Sequence, residues 1–347
     1  MARVAVVTSH PPFARGGHLL IARSLCEALR EQGHDADLLT TPQNRFGRQT
    51  SAYLANRLTD VEVGHDGEPI DQVISLRYPS YAVRHPVHVC WLNHRMREYY
   101  DLWERFEASL PRRARVKERI RRRVIQAVDR RLLTRNVTHL FAQSRTIQQR
   151  LERWGNIRST LLYPPAPPRP YRCDGYGDFF FAASRLTALK RLDLLVRALA
   201  EPDGVGLRCV IAGEGEEADA LVRLARSLRV GDRIEFLGRV DEATLVARLA
   251  TCRAVCFPTR QEDYGFVTAE AFASRKAVVT CRDSGGPAEL VEDGVSGFVC
   301  DPAPSEIATA LRRLADASDL AARLGEAGHA ATSEWSWSAV VRRLVVV

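Results

Sequence analysis

The chain has 347 residues, of which 46% are hydrophobic and 27% are charged, and its formal net charge is +8. This length exceeds what one hydrophobic core usually fills, so two domains are expected, and the composition excludes a disordered or fibrous chain. No apolar run approaches the ~20 residues that span a bilayer, and the opening "MARVAVVTSHPPF" is typical of a strand and a turn rather than a signal peptide. We therefore expect a cytoplasmic protein.

The sequence shows no metal-ligand pattern. Its eight cysteines are scattered, and the nearest two, Cys252 and Cys256, flank an apolar strand, so reduced and mostly buried thiols are expected. The D-x-D string from Asp35 to Asp37 lies in an alternating pattern that is typical of a strand surface. We expect neither a metal site nor a cofactor.

Short apolar runs alternate with helical patterns from the N-terminus onwards. The strand-like "RVAVVTS" precedes the helical "HLLIARSLCEALREQG", and the strand-like "DADLLTT", "QVISLRYP", "HVCWLNH" and "THLFAQS" precede the helical "TIQQRLERWG". This alternation predicts a parallel β-sheet covered by helices.

Residues 111–135 are predicted to form a basic amphipathic helix. They hold eleven Arg or Lys against two acids. Apolar side chains recur at helical spacing: Val116, Ile120, Val124, Ile125, Val128 and Leu132. The helix could present a solvated face, or could contact an anionic membrane surface or acceptor at the periphery of the inner membrane face. No aromatic residues interleave the arginines to stack on bases, so we expect no nucleic-acid partner.

A Pro-rich segment, "YPPAPPRPYRCDGYG", separates two halves of the chain. Closely spaced prolines cannot lie inside a helix or a central strand, so this segment is predicted to be a linker. We expect an N-terminal domain over 1–163, the linker over 164–172 and a C-terminal domain over 173–334. Residues 335–347 are expected to form a helix that crosses back to the first domain.

The strand and helix alternation restarts after the linker. Strand-like runs "DFFFAAS", "LRCVIAG", "RIEFLG", "AVCFPT" and "KAVVTC" each come before a helical or glycine-bearing segment. Two doubly wound α/β domains are predicted, with a ligand at the carboxyl ends of strands, in the cleft between the domains.

Two glutamates bracket a glycine after the predicted strand "AVCFPT". Glu262 lies in the loop and Glu270 lies eight positions later, in a helix that opens after Gly265. The free backbone N–H groups of that helix opening, near Phe266 and Val267, are suited to an anion. The next strand leads into "DSGGPAEL", a second glycine-bearing helix opening. Together the two openings predict a cradle for phosphates.

Cationic residues follow the first strand of the second half. Arg185 and Lys190 in "SRLTALKRLDLL" could hold two phosphates of a nucleotide, one as a fork and one as a point charge. A rival reading comes from "CVIAGEGEEADALV", where Gly213, Gly215 and Ala218 match the G-x-G-x-x-G/A dinucleotide fingerprint. That turn normally follows the first strand of its fold, and here it follows the second.

The ordered set of motifs resembles the retaining glycosyltransferases of family 4, also called glycosyl transferases group 1, which have the two-domain GT-B fold. The resemblance is densest from Phe180 to Pro302, and it covers nearly the whole chain. It rests on the Glu262–Glu270 motif and on "SRLTALKRLDLL", "IAGEGEE", "IEFLGRV" and "SGGPAELVEDGVSGFVCDP". The implied architecture is α/β, with two Rossmann-like parallel-sheet domains facing across a cleft.

The resemblance also implies roles for individual residues in donor binding. Arg185 and Lys190 match the basic pair at the donor diphosphate, Glu270 matches the glutamate that binds the ribose hydroxyls, and Glu262 matches the one near the donor sugar. The other implied donor-binding positions are Gly16, Gly17, Gly213, Val240, Gly265, Phe266 and Val267.

The first half supplies one further implied residue. His94 in "WLNHRMREYYDLW" resembles the acceptor-domain histidine near the transferred sugar. Three positions depart from the family pattern: Arg191 and Arg275 stand where glycine is usual, and Ala277 where proline is usual. If the turn at Arg275 needs a left-handed backbone, the side chain costs about 1 kcal/mol of strain.

The expected activity is metal-independent transfer of a sugar, with retention, from a GDP- or UDP-linked donor. The acceptor would be a hydroxyl of a lipid-linked or surface glycan, or of a small natural product. Three alternatives stay open: a nucleotide-sugar epimerase, an NAD-dependent oxidoreductase using the "GEGEEA" turn, and a non-enzymatic module that binds anionic surfaces.

Overall fold

The structure is a computed structural model, and it describes residues 1–13, 16–44 and 46–347. The chain splits into two compact units: Met1–Pro164 with Trp335–Val347, and Pro165–Glu334. The predicted Pro-rich segment lies at this division. Each unit holds a six-stranded parallel sheet whose strands are connected through helices, which confirms the predicted fold class.

The sheet of the first unit has the strand order β2-β1-β3-β4-β5-β6. Its strands are β1 (Arg3–His10), β2 (Asp35–Pro42), β3 (Gln72–Ser75), β4 (His88–Leu92), β5 (His139–Ala142) and β6 (Thr160–Leu161). Its helices up to the division are α1 (Gly17–Glu31), α2 (Gln49–Leu58), α3 (Trp103–Ser109), α4 (Arg112–Arg135) and α5 (Arg145–Arg153). Strands β3 and β4 are buried along their whole length, as expected for central strands of a covered parallel sheet.

Strand β3 is shorter than the predicted run "QVISLRYP". The Ser80 hydroxyl accepts hydrogen bonds from the backbone N–H groups of Leu76 and Arg77, at 3.3 and 3.2 Å. These bonds turn the chain into a short 3₁₀ helix at Ser80–Ala82, so the strand ends at Ser75. The alternating pattern could not predict this side-chain cap.

The sheet of the second unit has the strand order β12-β11-β10-β7-β8-β9. Its strands are β7 (Phe179–Ala183), β8 (Arg208–Ala212), β9 (Ile234–Gly238), β10 (Ala254–Cys256), β11 (Val278–Cys281) and β12 (Gly297–Cys300). Its helices are α6 (Leu192–Ala198), α7 (Ala218–Ser227), α8 (Glu242–Thr251), α9 (Phe266–Ala273), α10 (Gly286–Leu290), α11 (Pro304–Asp316) and α12 (Ser318–Thr332). Apolar side chains fill both faces of this sheet.

The last helix, α13 (Trp337–Leu344), packs on helix α1 of the first unit. The Gln72 side-chain amide donates to the Leu344 carbonyl at 2.7 Å, and the rings of Trp91 and Trp337 meet edge to face. The C-terminal segment therefore belongs to the first unit, although 170 residues of the other unit, Pro165–Glu334, precede it.

Helix α4 confirms the predicted basic amphipathic helix and shows which side faces inward. Its two acids, Glu118 and Asp129, are buried. Asp129 accepts hydrogen bonds from the hydroxyls of Tyr53, Tyr81 and Tyr100, the last at 2.7 Å, and burial raises the pKa of its carboxyl. The acids thus anchor the helix, and most of the basic side chains are left on the outer side.

Candidate functional site

The carboxyl ends of β7 and β10 meet at the point where the strand order of the second unit reverses. Strand β7 pairs with β8 on one side and with β10 on the other. In open α/β sheets, ligands bind in the crevice that the loops form at this position. The loop after β7 carries Arg185 and Lys190, and the loop after β10 carries Glu262.

Lys190 and Glu262 form an ion pair between these two loops. The Lys190 Nζ lies 2.6 Å from Glu262 Oε2, and the two side chains are 12% and 21% exposed. The ammonium also lies 5.2 Å from the centre of the Phe257 ring. The backbone N–H of Arg260 donates to the Leu189 carbonyl, which joins the loops a second time. The cation predicted to bind phosphate and the carboxylate predicted to lie near the donor sugar are therefore direct neighbours.

Arg185 lies at the start of the same loop, two residues beyond β7. Its side chain is exposed, and its guanidinium forms no hydrogen bond or ion pair with the residues that the structure describes. An arginine in this state can form a bidentate contact with a phosphate without first breaking an internal bond.

Gly265 allows the first of the two predicted helix openings to form. Its φ is +82°, and a Cβ at this position would lie 2.8 Å from Pro287 Cγ and 3.0 Å from the Phe257 ring. Helix α9 begins at the next residue, so the first N–H groups, those of Phe266 and Val267, have no intrahelical acceptor. The positive end of the helix dipole lies at the same place.

The two glycine-bearing loops are bonded to each other. Glu262 donates its backbone N–H to the Ser284 carbonyl at 2.7 Å, and Gly286 donates to the Glu262 carbonyl at 3.0 Å. The predicted neighbourhood of the two helix openings is therefore present in the structure.

Glu270 lies one turn into α9 and is the only charged residue of that helix. Its side chain is 6% exposed, and it forms an ion pair with Arg169. The Tyr171 hydroxyl donates to the same carboxylate oxygen at 3.3 Å. Burial raises the pKa of the Glu270 carboxyl, and the positive charge of Arg169 opposes that increase. Arg169 and Tyr171 were not predicted as site residues, because they lie in the Pro-rich segment that the sequence predicts to be a linker.

Arg191, a departure from the family pattern, has a left-handed backbone with φ +47°. Its guanidinium donates to the carbonyls of Pro258 and Thr259, at 2.9 and 2.6 Å. It also binds both carboxylate oxygens of Asp283, at 2.9 and 2.6 Å. One side chain thus ties together the loops that follow β7, β10 and β11, a role that no local pattern indicated.

Arg275 is also left-handed, with φ +55°, as the predicted turn requires. Its guanidinium pairs with Glu326 at 2.7 Å, and both side chains are about half exposed. Ala277, the third departure, is fully buried.

The glycines of the "GEGEEA" turn have a packing role. A Cβ on Gly213 would lie 1.8 Å from the Ser184 carbonyl oxygen, and one on Gly215 would lie 2.2 Å from that of Leu186. These glycines let the loop after β7, which carries Arg185, approach the turn closely, and the Glu217 N–H at the start of α7 donates to the Leu186 carbonyl of that loop at 3.0 Å. Val240 lies just beyond β9 and packs against the core on this side.

The first unit holds the remaining predicted residues. His94 follows β4, its Nδ1 lies 2.8 Å from the Arg95 carbonyl, and it lines a small recess. Asp101, in the same recess, accepts ion pairs from Arg97 and Arg150 at 2.6 and 3.2 Å. Gly16 precedes helix α1 and Gly17 is its first residue. The rest of the predicted "FARGG" loop includes residues 14 and 15, which lie outside the described residues.

The D-x-D aspartates and the cysteines lie where the sequence indicated. Asp35 and Asp37 lie on β2, an edge strand, and pair with Arg3 at 3.0 Å and Arg30 at 3.5 Å. All eight cysteines are free, and seven of them are buried. Over the described ranges there is no cluster of His, Cys, Asp and Glu that could hold a metal ion. In the same part of the chain, no helix combines the length and apolar character needed to cross a membrane.

Comparison with known proteins gives a consistent result for the fold and for the second unit. Residues 172–331 match the family described as Glycosyl transferases group 1. A curated relative, D-inositol 3-phosphate glycosyltransferase of Mycolicibacterium smegmatis, is 34% identical over 158 residues, which are 44% of this chain and 36% of that protein. The chain thus spans little more than a third of that relative's length.

Two solved structures share the fold over almost the whole chain. Sucrose-phosphate synthase from Thermosynechococcus elongatus superposes with a TM-score of 0.73 at 16% identity, covering 98% of this chain and 97% of that one. Anabaena HepE in complex with UDP and glucose gives a TM-score of 0.68 at 16% identity, with the same coverage of both chains. At this identity the likeness establishes the fold alone, which is of the GT-B type.

Proposed function

We propose that this protein transfers a sugar from a nucleotide-diphosphate donor to a hydroxyl acceptor, since residues 172–331 match the family described as Glycosyl transferases group 1. The observation that carries the proposal is the Lys190–Glu262 pair at the reversal point of the second sheet. A cation for phosphate and a carboxylate for sugar hydroxyls meet there, beside the helix opening at Phe266.

The donor diphosphate would bind at Arg185 and Lys190. Arg185 offers a guanidinium that has no partner among the described residues. Lys190 would exchange part of its contact with Glu262 for a contact with a phosphate oxygen. The N–H groups at the start of α9 would contribute two further donors aimed at negative charge. Glu270 would accept a hydroxyl of the nucleoside ribose, and Glu262 would orient the donor sugar.

The proposed transfer retains the anomeric configuration. The bond between the anomeric carbon and the phosphate oxygen breaks, and the acceptor oxygen bonds to that carbon on the same face. A phosphate oxygen takes the acceptor proton. Negative charge that develops on the leaving diphosphate is stabilised by Arg185, Lys190 and the α9 opening, which are preorganised for it. With two cations and a helix terminus in this role, we propose a metal-independent reaction.

The nucleotide base stays open between uridine and guanosine. The UDP bound to Anabaena HepE supports a UDP donor. The segment "EDYGFVTAEA" slightly resembles mannose-type enzymes that use GDP donors. Either base is compatible with Glu270, which would contact the ribose.

We assign acceptor binding to the first unit, with His94 near the transferred sugar and with Gly16 and Gly17 giving room for phosphate. A lipid-linked or anionic acceptor is favoured by the outer side of α4. Val116, Ile120 and Val124 recur every four residues along one line and are 62%, 60% and 56% exposed.

Basic side chains flank this apolar line on α4. Arg112, Arg113, Lys117, Arg123 and Arg131 are exposed within a quarter turn of it. An apolar strip of this kind, bordered by cations, suits the plane of an anionic bilayer. We therefore propose peripheral contact with anionic membrane through residues 111–135.

Sedimentation with vesicles tests the membrane contact. Wild-type protein is expected to sediment with phosphatidylglycerol-containing vesicles and not with neutral phosphatidylcholine vesicles. Replacing Val116, Ile120 and Val124 with serine should abolish sedimentation at unchanged net charge. Equal sedimentation with both vesicle types, or no effect of the serines, would contradict this contact.

A donor panel tests the transfer proposal without knowledge of the acceptor. Purified protein is incubated with UDP-, GDP- and dTDP-sugars, and slow release of the free nucleotide is measured. Release from one or two donors is expected. Conversion of a donor to its epimer without nucleotide release would favour an epimerase, and thermal stabilisation by NAD alone would favour an oxidoreductase.

A further inference from the structure

An arginine of the Pro-rich segment is built into the site of the second unit. Arg169 Nη1 pairs with Glu270 Oε1, and its Nη2 lies 3.1 Å from Glu242 Oε1 on α8. The Arg169 side chain is only 10% exposed. Prolines on both sides, at 168 and 170, restrict the backbone that carries it.

The contacts on Glu270 are one-sided. Arg169 and the Tyr171 hydroxyl both donate to Oε1, and no described residue donates to Oε2. A guanidinium that only neutralised a carboxylate would commonly bind both oxygens with two parallel bonds. Here Arg169 gives its second nitrogen to Glu242 instead, and its Nε has no partner among the described residues. Glu270 Oε2 is thus left as an acceptor.

We propose that Arg169 is a positioning residue for nucleotide binding, which fixes Glu270 through Oε1 so that Oε2 accepts a ribose hydroxyl. This inference rests on the proposed function, since it presupposes that a nucleotide binds at Glu270. It adds a residue from outside the recognised motifs, held to its partner across 101 positions of sequence.

The physical reason lies in the burial of the carboxylate. A buried charge without a partner is unstable, and such a carboxyl group takes up a proton instead. The charged or titratable groups that face Glu270 are Arg169 and Tyr171 of the Pro-rich segment and Glu242 of α8. Burial and Glu242 raise the pKa of Glu270, whereas Arg169 and Tyr171 lower it. Without Arg169 the pKa rises further, and a protonated Glu270 is a poorer acceptor.

The consequence is a pH-dependent nucleotide affinity in the absence of Arg169. The ionised form of Glu270 is the one that binds, so affinity is present above its pKa and falls as the pH drops through it. Below that pKa the dissociation constant rises by up to about tenfold per pH unit. Wild type, with the lower pKa, keeps its affinity to a lower pH.

The test is calorimetric titration with UDP, or with GDP if wild type binds only GDP, between pH 8 and pH 6. Arg169→Gln is expected to weaken binding increasingly as the pH falls, relative to wild type. Arg169→Lys restores a charge and should restore most of the wild-type pH profile. Glu270→Gln, which cannot titrate, gives the baseline for ionisation of the diphosphate itself. Arg172→Gln is the matched control, because the one ion pair that Arg172 forms with the described residues is an exposed pair with Asp174.

A second readout separates positioning from fold stability. In wild type, the 2′-deoxy or the 3′-deoxy nucleotide should bind about ten- to a hundredfold more weakly than the parent, as for loss of a hydrogen bond to a charged group. In Arg169→Gln this discrimination should largely disappear. If Arg169→Gln does not fold, Arg169→Lys still tests the claim. A lysine has no guanidinium to hold both Glu270 and Glu242, so this variant should discriminate less between the parent and the deoxy nucleotides.

Two results would overturn the inference while leaving the proposed function intact. One is an Arg169→Gln variant whose affinity, pH profile and deoxy discrimination equal those of wild type. The other is tighter binding by that variant, which would make Arg169 an obstacle to the nucleotide. Absence of binding of either nucleotide to wild type would instead refute the proposed function.

Discussion

Arg191 provides a prediction in which two opposing effects can be weighed. Its backbone is left-handed, with φ +47°, so glycine would suit the conformation better. Its guanidinium, however, bonds to two carbonyl oxygens and to both oxygens of the Asp283 carboxylate. We predict that Arg191→Gly destabilises the second unit despite the improved backbone.

The magnitude follows from the contacts. Glycine relieves a left-handed cost of ~1–2 kcal/mol, and its greater freedom in the unfolded chain returns ~0.5–1 kcal/mol of this. Thr259 keeps another donor, the Ser284 hydroxyl, and the Asp283 side chain is 39% exposed, so water replaces part of the lost contact. The buried Pro258 carbonyl has no second donor among the described residues. A loss of ~2–4 kcal/mol is expected from these bonds, which leaves a net destabilisation of ~1.5–3 kcal/mol.

Arg275→Gly is the matched control, because Arg275 has φ +55° but, within the described residues, its guanidinium pairs only with a half-exposed Glu326. An exposed pair contributes ~0–1 kcal/mol, so this change should be neutral or slightly stabilising. In urea and thermal unfolding, Arg275→Gly should be as stable as wild type or slightly more stable. Arg191→Gly should be less stable than both. Equal stability of the two variants, or an Arg191→Gly variant above wild type, would refute the reasoning.

Three further changes test other parts of the structure. Burial lowers the pKa of His88 from 6.5 to about 4, so this group should remove ~1.4 kcal/mol of stability per pH unit as the pH falls from 6.5 to 4. His88→Gln should therefore make the free energy of unfolding depend less on pH in this range, and an unchanged dependence would contradict this. Gly265→Ala should destabilise the protein more than Gly33→Ala. The two glycines have almost the same φ, +82° and +81°, but of the two only Gly265 has neighbours that a Cβ would strike. Chemical denaturation compares the two variants, and equal losses of unfolding free energy would argue against a steric clash at Gly265. Asp129→Ala leaves three tyrosine hydroxyls without their acceptor, and it should lower the free energy of unfolding by ~3–5 kcal/mol. A loss below about 1 kcal/mol would show that other contacts hold α4 in place.

Local sequence patterns predicted the parts of the site that lie on single strand–loop–helix units. The apolar run before Glu262, the glycine at 265 and the helix carrying Glu270 all follow from composition and spacing, because a β–loop–α unit is encoded locally. Lys190 was predicted by its position after a strand. Its pairing with Glu262 follows from the adjacency of β7 and β10, which is a property of the sheet order.

The residues that the sequence did not reveal make contacts over long sequence separations. Arg169 was read only as part of a linker, because prolines dominate its segment and its partner Glu270 is 101 residues away. Arg191 was recognised as a departure from glycine, but its compensation comes from loops 67 to 92 residues further along the chain. The buried acids of α4 were hidden in the same way, since their tyrosine partners lie outside the helix. Such contacts depend on tertiary packing, which a local sequence pattern cannot predict.

The central claim is that Lys190 and Glu270 hold the two ends of a nucleotide-diphosphate donor in the second unit. The most direct measurement is the rate of nucleotide release from the preferred donor by wild type, Lys190→Ala and Glu270→Ala, with circular dichroism to confirm folding. We predict that each variant retains its fold and loses roughly a hundredfold or more in rate, as for removal of a preorganised electrostatic contact. Near wild-type release by both folded variants would contradict the claim.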